Sequence, residues 1–240
     1  MVELRGLTKS YNRGQVKAVD DLDLSVRGGE IFGFLGPNGA GKTTTIKMMV
    51  GLLKPDRGTV NIAGYDIASS PLEVKRRISY VPDNPDVYHR LTGMEYLNFM
   101  GDVYRVSAEE RERRILRLLD VFALGGAVSD PIKSYSHGMR QKIVLVGALL
   151  HDPLVFILDE PMVGLDPRSA HHLKEIMREH CSLGKTVFFS THILEVAEKL
   201  CDRIGIINKG RLIALGTMDE LRAQAQDKQS LEKIFLELTE

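Results

Sequence analysis

The segment that most constrains the fold is GPNGAGKT at positions 36–43, which fits the pattern G-x-x-x-x-G-K-[ST]. It follows the apolar run 31–35 and precedes a helical pattern that ends near Gly51. Glycines let backbone N–H groups surround an anion, and the following helix adds the positive end of its dipole. The sequence therefore predicts a phosphate-binding P-loop on an α/β framework.

Two residues of this loop have defined chemistry. Lys42 is expected to reach the β- and γ-phosphates of a nucleotide, and the Thr43 hydroxyl is expected to ligate Mg²⁺. The loop backbone that would enclose the phosphates consists of Gly36, Pro37, Asn38, Gly39, Ala40 and Gly41. A switch-type GTPase is excluded, because guanine recognition needs Asn-Lys-x-Asp and segment 208–211 reads Asn-Lys-Gly-Arg.

Apolar runs alternate with helical patterns through most of the chain, which predicts an α/β fold with a largely parallel sheet. The runs are rich in Val, Ile, Leu and Phe, as is typical of strands buried on both faces. They cover residues 31–35, 78–81, 155–158, 186–190 and 204–207.

Three other regions differ from this alternation. Residues 2–7 and 16–26 predict a smaller antiparallel sheet, and Asn208-Lys209-Gly210 predicts a hairpin turn. The mostly helical pattern of 91–150 predicts a helical subdomain inserted into the core. In the tail, apolar residues at helical spacing predict a terminal helix packed on the core: Leu231, Ile234, Phe235 and Leu238.

Composition narrows the class of protein. The 240 residues are 43% apolar, which is enough for a sizeable core. The 32 basic residues balance the 32 acidic ones, which argues against a nucleic-acid binder that works through bulk positive charge. Cys181 and Cys201 are interpreted as ordinary residues of a reducing compartment. The longest apolar run, 143–150, is far shorter than the ~18 residues of a membrane span, so we expect a soluble, cytosolic chain.

A pair of carboxylates follows the apolar run 155–158. Because parallel strands end at one edge of a sheet, Asp159 is expected beside the P-loop, where it would hold Mg²⁺ through water. Glu160 is expected to orient and deprotonate an attacking water as a general base. The alternative interpretation is an acidic turn after a strand.

In these motifs and in others along the chain, the sequence resembles the ATP-binding cassette (ABC) ATPases over essentially its whole length. Six further segments carry the resemblance, in the family's order: Thr8-Lys9-Ser10-Tyr11, Tyr80-Val81-Pro82-Asp83, Tyr135-Ser136-His137-Gly138-Met139, Gly164-Leu165-Asp166-Pro167, Ser190-Thr191-His192 and the tail 230–239. The resemblance implies a P-loop NTPase (RecA-like) core with a mostly parallel sheet, a small N-terminal antiparallel β subdomain and an inserted α-helical subdomain. It implies one domain over 1–240, with the core at about 1–82 and 151–240 and the helical subdomain at about 83–150.

The resemblance also implies which residues hold ATP. Tyr11 would stack on adenine, and Thr44 would join Lys42 and Thr43 at the phosphates. Ser136 and Gly138 stand at the signature position, where they would grip the γ-phosphate of an ATP bound to a second cassette. Taken alone, Tyr11 is more often a packing residue than a base-stacking one.

Three more roles follow from the family pattern. His192 would bridge the γ-phosphate and the attacking water, and Asp166 would couple the two nucleotide sites. Asp83 stands where the family usually has Gln, so it should interact with Mg²⁺ differently from a neutral amide. Taken alone, a histidine after a strand is more often a capping or core residue, and Asp166-Pro167 is only a turn.

The implied partners are a second cassette, expected to be another copy of this chain, and a polytopic transmembrane permease; the implied cofactors are ATP and Mg²⁺. No nucleic-acid partner is expected, and the implied location is cytoplasmic, at the inner face of the cell membrane. The Tyr-Ser-x-Gly-Met form of the signature resembles that of exporters.

Two alternatives remain open at this stage. One is a soluble cassette ATPase in assembly, translation or DNA repair. The sequence argues against it, because it shows no second cassette, no long coiled-coil insertion and no basic tail. The other is a binding or regulatory protein with an inactive site. The presence of four residues of the catalytic pattern argues against it: Lys42, Asp159, Glu160 and His192.

Overall fold

The computed structural model describes residues 1–85, 87–224 and 235, apart from the side chains of Arg13 and Gln224. The strands in this part are β1 (Val2–Tyr11), β2 (Val16–Val26), β3 (Ile31–Leu35), β4 (Arg57–Ile62), β5 (Tyr65–Asp66), β6 (Ile78–Val81), β7 (Val155–Asp159), β8 (Thr186–Thr191), β9 (Arg203–Asn208) and β10 (Arg211–Gly216). The α-helices are α1 (Lys42–Met49), α2 (Pro71–Lys75), α3 (Gly93–Val103), α4 (Ala108–Val121), α5 (His137–Leu149), α6 (Pro167–Ser182), α7 (Leu194–Leu200) and α8 (Met218–Gln224).

The central sheet has the strand order β10-β9-β3-β8-β7-β6, and all neighbouring pairs are parallel except β10 with β9. Every residue of β3, β7 and β8 is buried, which explains their largely apolar sequences. Because β3, β8 and β7 are adjacent and parallel, their carboxyl ends meet at one edge. The P-loop, Asp159 and Thr191 all lie at that edge.

A second, antiparallel sheet has the order β2-β1-β4-β5. Helix α1 contacts β2 and β4 of this sheet and β7 of the central sheet. Its buried residues Ile46, Met48 and Met49 belong to a hydrophobic cluster that includes residues of both sheets. Helix α1 is therefore held on two sides, which fixes the end of the P-loop where the helix begins.

Helices α3, α4 and α5 come between β6 and β7 in the chain and share a second hydrophobic cluster with the core. Helix α3 begins with a capping box, in which Glu95 N donates to Thr92 Oγ1 and Thr92 N donates to the Glu95 carboxylate. The α/β fold with an antiparallel N-terminal sheet and a helical insertion is thus confirmed. The boundaries at 82/83 and 150/151 stay predictions.

The hairpin predicted at Asn208-Lys209-Gly210 is present between β9 and β10. Lys209 and Gly210 have φ values of 48° and 80°, the left-handed pair that a two-residue type I′ turn requires. Gly210 N donates to Ala40 O at 2.9 Å, so this turn braces the P-loop.

The predicted terminal helix lies outside the described residues, with the exception of Phe235. Phe235 packs against a small cluster that contains Leu35, Ile204 and Leu221. None of the helices in the described part of the chain has both the length and the apolarity needed to cross a membrane.

Candidate active site

The P-loop joins β3 to α1 in a conformation that depends on glycine. Gly39 and Gly41 have φ values of 79° and 111°, which residues other than glycine rarely adopt. A Cβ on Gly36 would lie 2.4 Å from Ile207 O, and one on Gly41 would lie 2.3 Å from Ala18 O. The loop is therefore enclosed by backbone on two sides, which holds its N–H groups in one arrangement.

Lys42 is the first residue of α1 and is only 7% exposed. Its ammonium donates to Gly36 O at 2.7 Å and to Pro37 O at 3.3 Å, and it lies 3.6 Å from Glu160 Oε1. A buried cation is costly unless it is paired and hydrogen-bonded, and these contacts satisfy it. The positive charge is thus held inside the loop, where phosphate oxygens would bind.

Asp159 ends β7 and is fully buried. Ser190 Oγ donates to its Oδ1, whereas Oδ2 has no hydrogen-bond partner. Burial raises the pKa of Asp159, and the hydroxyls of Ser190 and Thr43 oppose this rise. An unpartnered, buried carboxylate oxygen fits a Mg²⁺ site, because this ion takes few protein ligands and completes its shell with phosphate and water.

Glu160 follows directly and has φ 48°, an uncommon value for a residue with a side chain. Its N–H donates to Ser190 Oγ at 3.1 Å, and its carboxylate is 15% exposed. Glu160 Oε2 lies 2.9 Å from His192 Nδ1 and accepts from His192 N at 3.3 Å. The carboxylate therefore stands between the ammonium of Lys42 and the ring of His192.

The parallel pairing of β3, β8 and β7 explains why these side chains lie close together. Asp159 pairs with Ser190, and Leu35 pairs with Thr191, so β8 brings His192 to the edge where β3 and β7 end. We call Lys42, Asp159, Glu160, Ser190 and His192 the catalytic cluster.

Asp83 and Tyr11 are exposed, the first just beyond β6 and the second at the end of β1. Asp83 follows β6, and its Oδ1 accepts from Asn84 N at 2.8 Å. Its negative charge contributes to the raised pKa of Asp159. Tyr11 is 42% exposed and pairs with Val16 in the N-terminal sheet. In the described part of the chain, no group of three or more His, Cys, Asp and Glu side chains is arranged to hold a metal ion.

The signature residues lie apart from the catalytic cluster, at the start of α5. Ser136 is the N-cap of α5, and its Oγ accepts from Met139 N at 3.3 Å. Ser136 is exposed, and Gly138 packs on Gly164 O. A hydroxyl and a helix N-terminus facing outward form a surface suited to an anion on another molecule.

Asp166 caps α6 rather than facing the catalytic cluster. Its carboxylate accepts from Ser169 N at 3.0 Å and from Ser169 Oγ at 2.7 Å, and it lies 2.5 Å from Lys142 Nζ. The Lys142 ammonium, followed by Ser169, holds the pKa of Asp166 well below its usual range.

Sequence reasoning assigned no role to two residues that join these parts. Ser190 Oγ donates to the Asp159 carboxylate and accepts from the backbone N–H of Glu160, and the available signal was a hydroxyl residue near the end of strand β8. Lys142 pairs with Asp166, but its position within a long helical pattern gave no signal.

The fold and the site together define a nucleotide-binding P-loop protein. The N-terminus of α5 forms a second, separate surface suited to an anion. A family model described as ABC transporter matches residues 19–163. The daunorubicin/doxorubicin resistance ATP-binding protein DrrA of Streptomyces peucetius is 43% identical over 222 residues, which are 92% of this chain and 67% of that protein.

Two solved structures are also similar. An ATP-binding subunit of an ABC transporter superposes with a TM-score of 0.95 at 38% identity, covering 100% of both chains. A dimeric ATP-binding cassette in a post-hydrolysis state with ADP and Pi superposes with a TM-score of 0.82 at 26% identity, covering 91% of this chain and 99% of that one.

This chain belongs to the ABC transporter family. Within that family it is a nucleotide-binding subunit, an ATPase.

Proposed function

We propose that this chain drives export by hydrolysing ATP in a head-to-tail pair of cassettes attached to a separate transmembrane permease. The observation that carries the proposal is the position of Glu160, whose carboxylate oxygens lie 3.6 Å from Lys42 Nζ and 2.9 Å from His192 Nδ1. This places a carboxylate between the phosphate-binding cation and a second polar group, as water activation requires.

ATP binding is assigned to the P-loop and its neighbours. The backbone of residues 36–41, the ammonium of Lys42 and the dipole of α1 stabilise the phosphates. Thr43 and Thr44 add hydroxyl groups, and Tyr11 stacks on adenine. We assign Mg²⁺ to Thr43 and Asp159, with Asp83 on the exposed side; when bound, this ion neutralises charge on the phosphates.

Hydrolysis is assigned to Glu160 and His192. Glu160 accepts a proton from the attacking water while the water oxygen bonds to the γ-phosphorus and the bond to the ADP oxygen breaks, which gives ADP and phosphate. His192 orients the Glu160 carboxylate and lies next to the reacting phosphate. Positioning and charge supply most of the catalysis in such a reaction.

The second cassette completes each site. Ser136 and Gly138 of one copy contact the γ-phosphate held by the P-loop of the other, and the start of α5 adds its dipole. The exposure of Ser136 supports this assignment. Asp166 lies between the two sites and couples them.

The permease is assigned to an exposed apolar surface on α3 and the segment that leads into it. Tyr88 and Phe99 form an edge-to-face ring pair with centroids 5.7 Å apart, and Val103 follows one turn after Phe99 in α3. All three side chains are exposed, with 62%, 42% and 55% of their surface open. An exposed apolar patch of this kind favours a protein partner. The helical segment 83–150 would then link the permease to the core formed by 1–82 and 151–240, at the inner face of the membrane.

Export is supported by the Tyr-Ser-His-Gly-Met signature and by similarity to a drug-resistance ATP-binding protein. The test is to tag the chain in its native cell, solubilise the membranes in mild detergent and identify the copurifying proteins. We expect a stoichiometric polytopic membrane protein, which the Phe99→Asp variant should lose. Leu52→Asp, at an exposed apolar residue outside α3, is the control and should retain it. Recovery of soluble partners only would contradict the transport role.

A further inference from the structure

A second cleft of the molecule lies between α4 and α6, and none of the described residues that line it belongs to the catalytic cluster. Its volume is about 240 Å³. The lining residues within 110–118 on α4 and within 176–183 on α6 and at its end recur at helical spacing, so each helix turns one face to the cleft. Leu149 and Asp152, at and just after the end of α5, complete the lining. We call this space the α4–α6 cleft.

The α4 wall of the cleft carries three arginines. Glu110 Oε1 accepts from Arg113 Nη2 and from Arg114 Nε, each at 2.6 Å, so one carboxylate pairs with two guanidinium groups. Arg117 Nη2 donates to Glu179 Oε2 on the opposite wall at 2.8 Å. Helices that pack directly on each other turn apolar stripes inward, whereas the stripe of α4 that faces α6 is largely charged. The cleft is therefore a polar gap between two helices and not a part of the core.

The charges around the cleft do not balance. The third carboxylate of the lining, that of Asp152, pairs with Lys185. Among the described residues that line the cleft or form an ion pair with its lining, four cations thus accompany three carboxylates. Within the described residues Arg117 donates one hydrogen bond, whereas a guanidinium carries five N–H donors. One surplus positive charge favours a ligand with one negative charge, and the planar fork of arginine matches a carboxylate.

The rest of the lining is apolar, apart from a buried histidine. Leu118, Leu149 and Ile176 line the cleft, and Leu183 stands at its edge with 66% of its surface exposed. His180 is only 6% exposed, and its Nε2 has no hydrogen-bond partner in the described part of the chain. Burial lowers the pKa of His180 to about 4, so the ring is neutral near pH 7. An unpartnered polar group among apolar side chains is typical of the wall of a small-molecule site.

We propose that the α4–α6 cleft is a binding site for a small amphipathic carboxylate. The carboxylate binds the guanidinium of Arg117, and the apolar body packs on Leu118, Leu149 and Ile176. The volume fits a molecule of about ten non-hydrogen atoms, since an apolar cavity of about 150 Å³ holds benzene.

The position of the cleft gives such a ligand a consequence for the whole chain. Helix α4 belongs to the helical insertion between β6 and β7, whereas α6 follows β7 in the core. A bound ligand therefore joins these two parts, and occupancy of the cleft resists a change in the angle between them. The site is separate from the P-loop, so it does not depend on the proposed function.

The test is a titration of the full chain with 3-(4-hydroxyphenyl)propanoate, followed by NMR at the methyl group of Ile176. This probe has a carboxylate, an apolar ring and a hydroxyl that can pair with the neutral ring of His180. The comparison compound is 4-(3-hydroxypropyl)phenol, in which an alcohol replaces the carboxylate.

Two variants test the charged wall. Arg117→Met removes the guanidinium and keeps most of the side-chain length. The matched control is Arg76→Met, because Arg76 is 61% exposed and pairs with Glu73 outside the cleft, whereas Arg117 is 62% exposed and pairs with Glu179. If Arg117→Met does not fold, Arg113→Met replaces it with the same expectation.

We expect the Ile176 methyl signal to shift with a Kd of about 1 mM for the carboxylate, the affinity typical of a compound of this size. The alcohol should bind at least about tenfold more weakly, because it leaves the surplus charge unpaired. Arg117→Met should raise the Kd for the carboxylate by about tenfold, and Arg76→Met should keep it within about twofold of the parental value.

Three results would overturn the inference. The first is an Ile176 signal that does not move at about ten times the expected Kd. The second is equal affinity for the carboxylate and the alcohol, which would make the cleft an apolar crevice without preference for an anion. The third is a parental Kd in Arg117→Met, which would remove the arginine from the site.

Discussion

Glu160 and His192 contact each other twice, although 32 residues separate them in the sequence: His192 Nδ1 lies 2.9 Å from Glu160 Oε2, and His192 N donates to the same oxygen at 3.3 Å. The backbone contact fixes the position of the carboxylate, and the ring contact fixes its orientation. A carboxylate that is held in this way, at a strained φ and beside a buried lysine, has the environment of a catalytic group rather than of a surface turn.

Removing the ring of His192 should therefore slow hydrolysis. His192→Ala keeps the backbone contact but loses the ring that orients Glu160, and we expect phosphate release to fall by about 10²-fold with ATP binding retained. His172→Ala, at a histidine of α6 that pairs with Glu175, is the control. Parental turnover in His192→Ala would show that the ring has no part in the reaction.

Replacing Lys42 should weaken nucleotide binding itself. A hydrogen bond to a charged group contributes about 1.5–3 kcal/mol, so Lys42→Ala should raise the Kd for ATP by about tenfold to a hundredfold. Titration calorimetry measures this directly. Lys47→Ala, at an exposed lysine in the last turn of the same helix, should leave the Kd unchanged. Equal affinities for the two variants would remove Lys42 from the phosphate site.

Gly41→Ala should destabilise the fold. Gly41 has φ 111°, and the added Cβ would lie 2.3 Å from Ala18 O, which is backbone and cannot rotate away. Strain of this kind costs about 1–3 kcal/mol, measured as the free energy of unfolding in urea. Gly125→Ala has nothing within 4 Å of the new Cβ and should change stability by less than about 0.5 kcal/mol. A Gly41→Ala protein as stable as the parent would contradict the described loop conformation.

Two histidines, His180 buried and His151 partly buried, predict a loss of stability in mild acid. Burial lowers the pKa of His151 and of His180 to about 4 in each case, from an ordinary value of 6.5. Between these values the unfolded chain binds more protons than the folded chain, so the free energy of unfolding should fall as pH decreases from 6.5 to 4. The expected loss is on the order of 2–3 kcal/mol for each histidine.

The check is urea unfolding at several pH values. His180→Gln should reduce the steepness of the decline, and His89→Gln, at an exposed histidine, should not. Stability that is constant over this pH range would contradict the lowered pKa of both rings.

Much of this architecture was predictable from local sequence. The P-loop is recognisable because its glycines are needed for one backbone path, and the ends of β7 and β8 are recognisable because polar residues follow buried strands. The turn at Lys209 and Gly210 was likewise predicted, since its residue types match the left-handed conformations found.

The remaining relationships depend on tertiary structure. Strand β8 is distant in sequence from β3 but lies between β3 and β7, and only this order sets Ser190 opposite Asp159. Lys142 lies in an ordinary helical pattern, so its pairing with Asp166 follows from how α5 lies against the loop that leads into α6. Such contacts are determined by packing between elements, which short-range patterns do not encode. The roles assigned to individual site residues stay predictions.

The most direct test of the account is the Glu160→Gln variant, measured for phosphate release and for association state in the presence of Mg-ATP. Gln keeps the size of the side chain but cannot accept the proton of the attacking water. We expect turnover to fall by about 10²–10⁴-fold, ATP binding to persist, and the variant to accumulate as an ATP-bound dimer. Glu175→Gln, at a glutamate of α6 outside the catalytic cluster, should behave as the parent. A Glu160→Gln protein that hydrolyses ATP at the parental rate would contradict the assignment of Glu160 as the base.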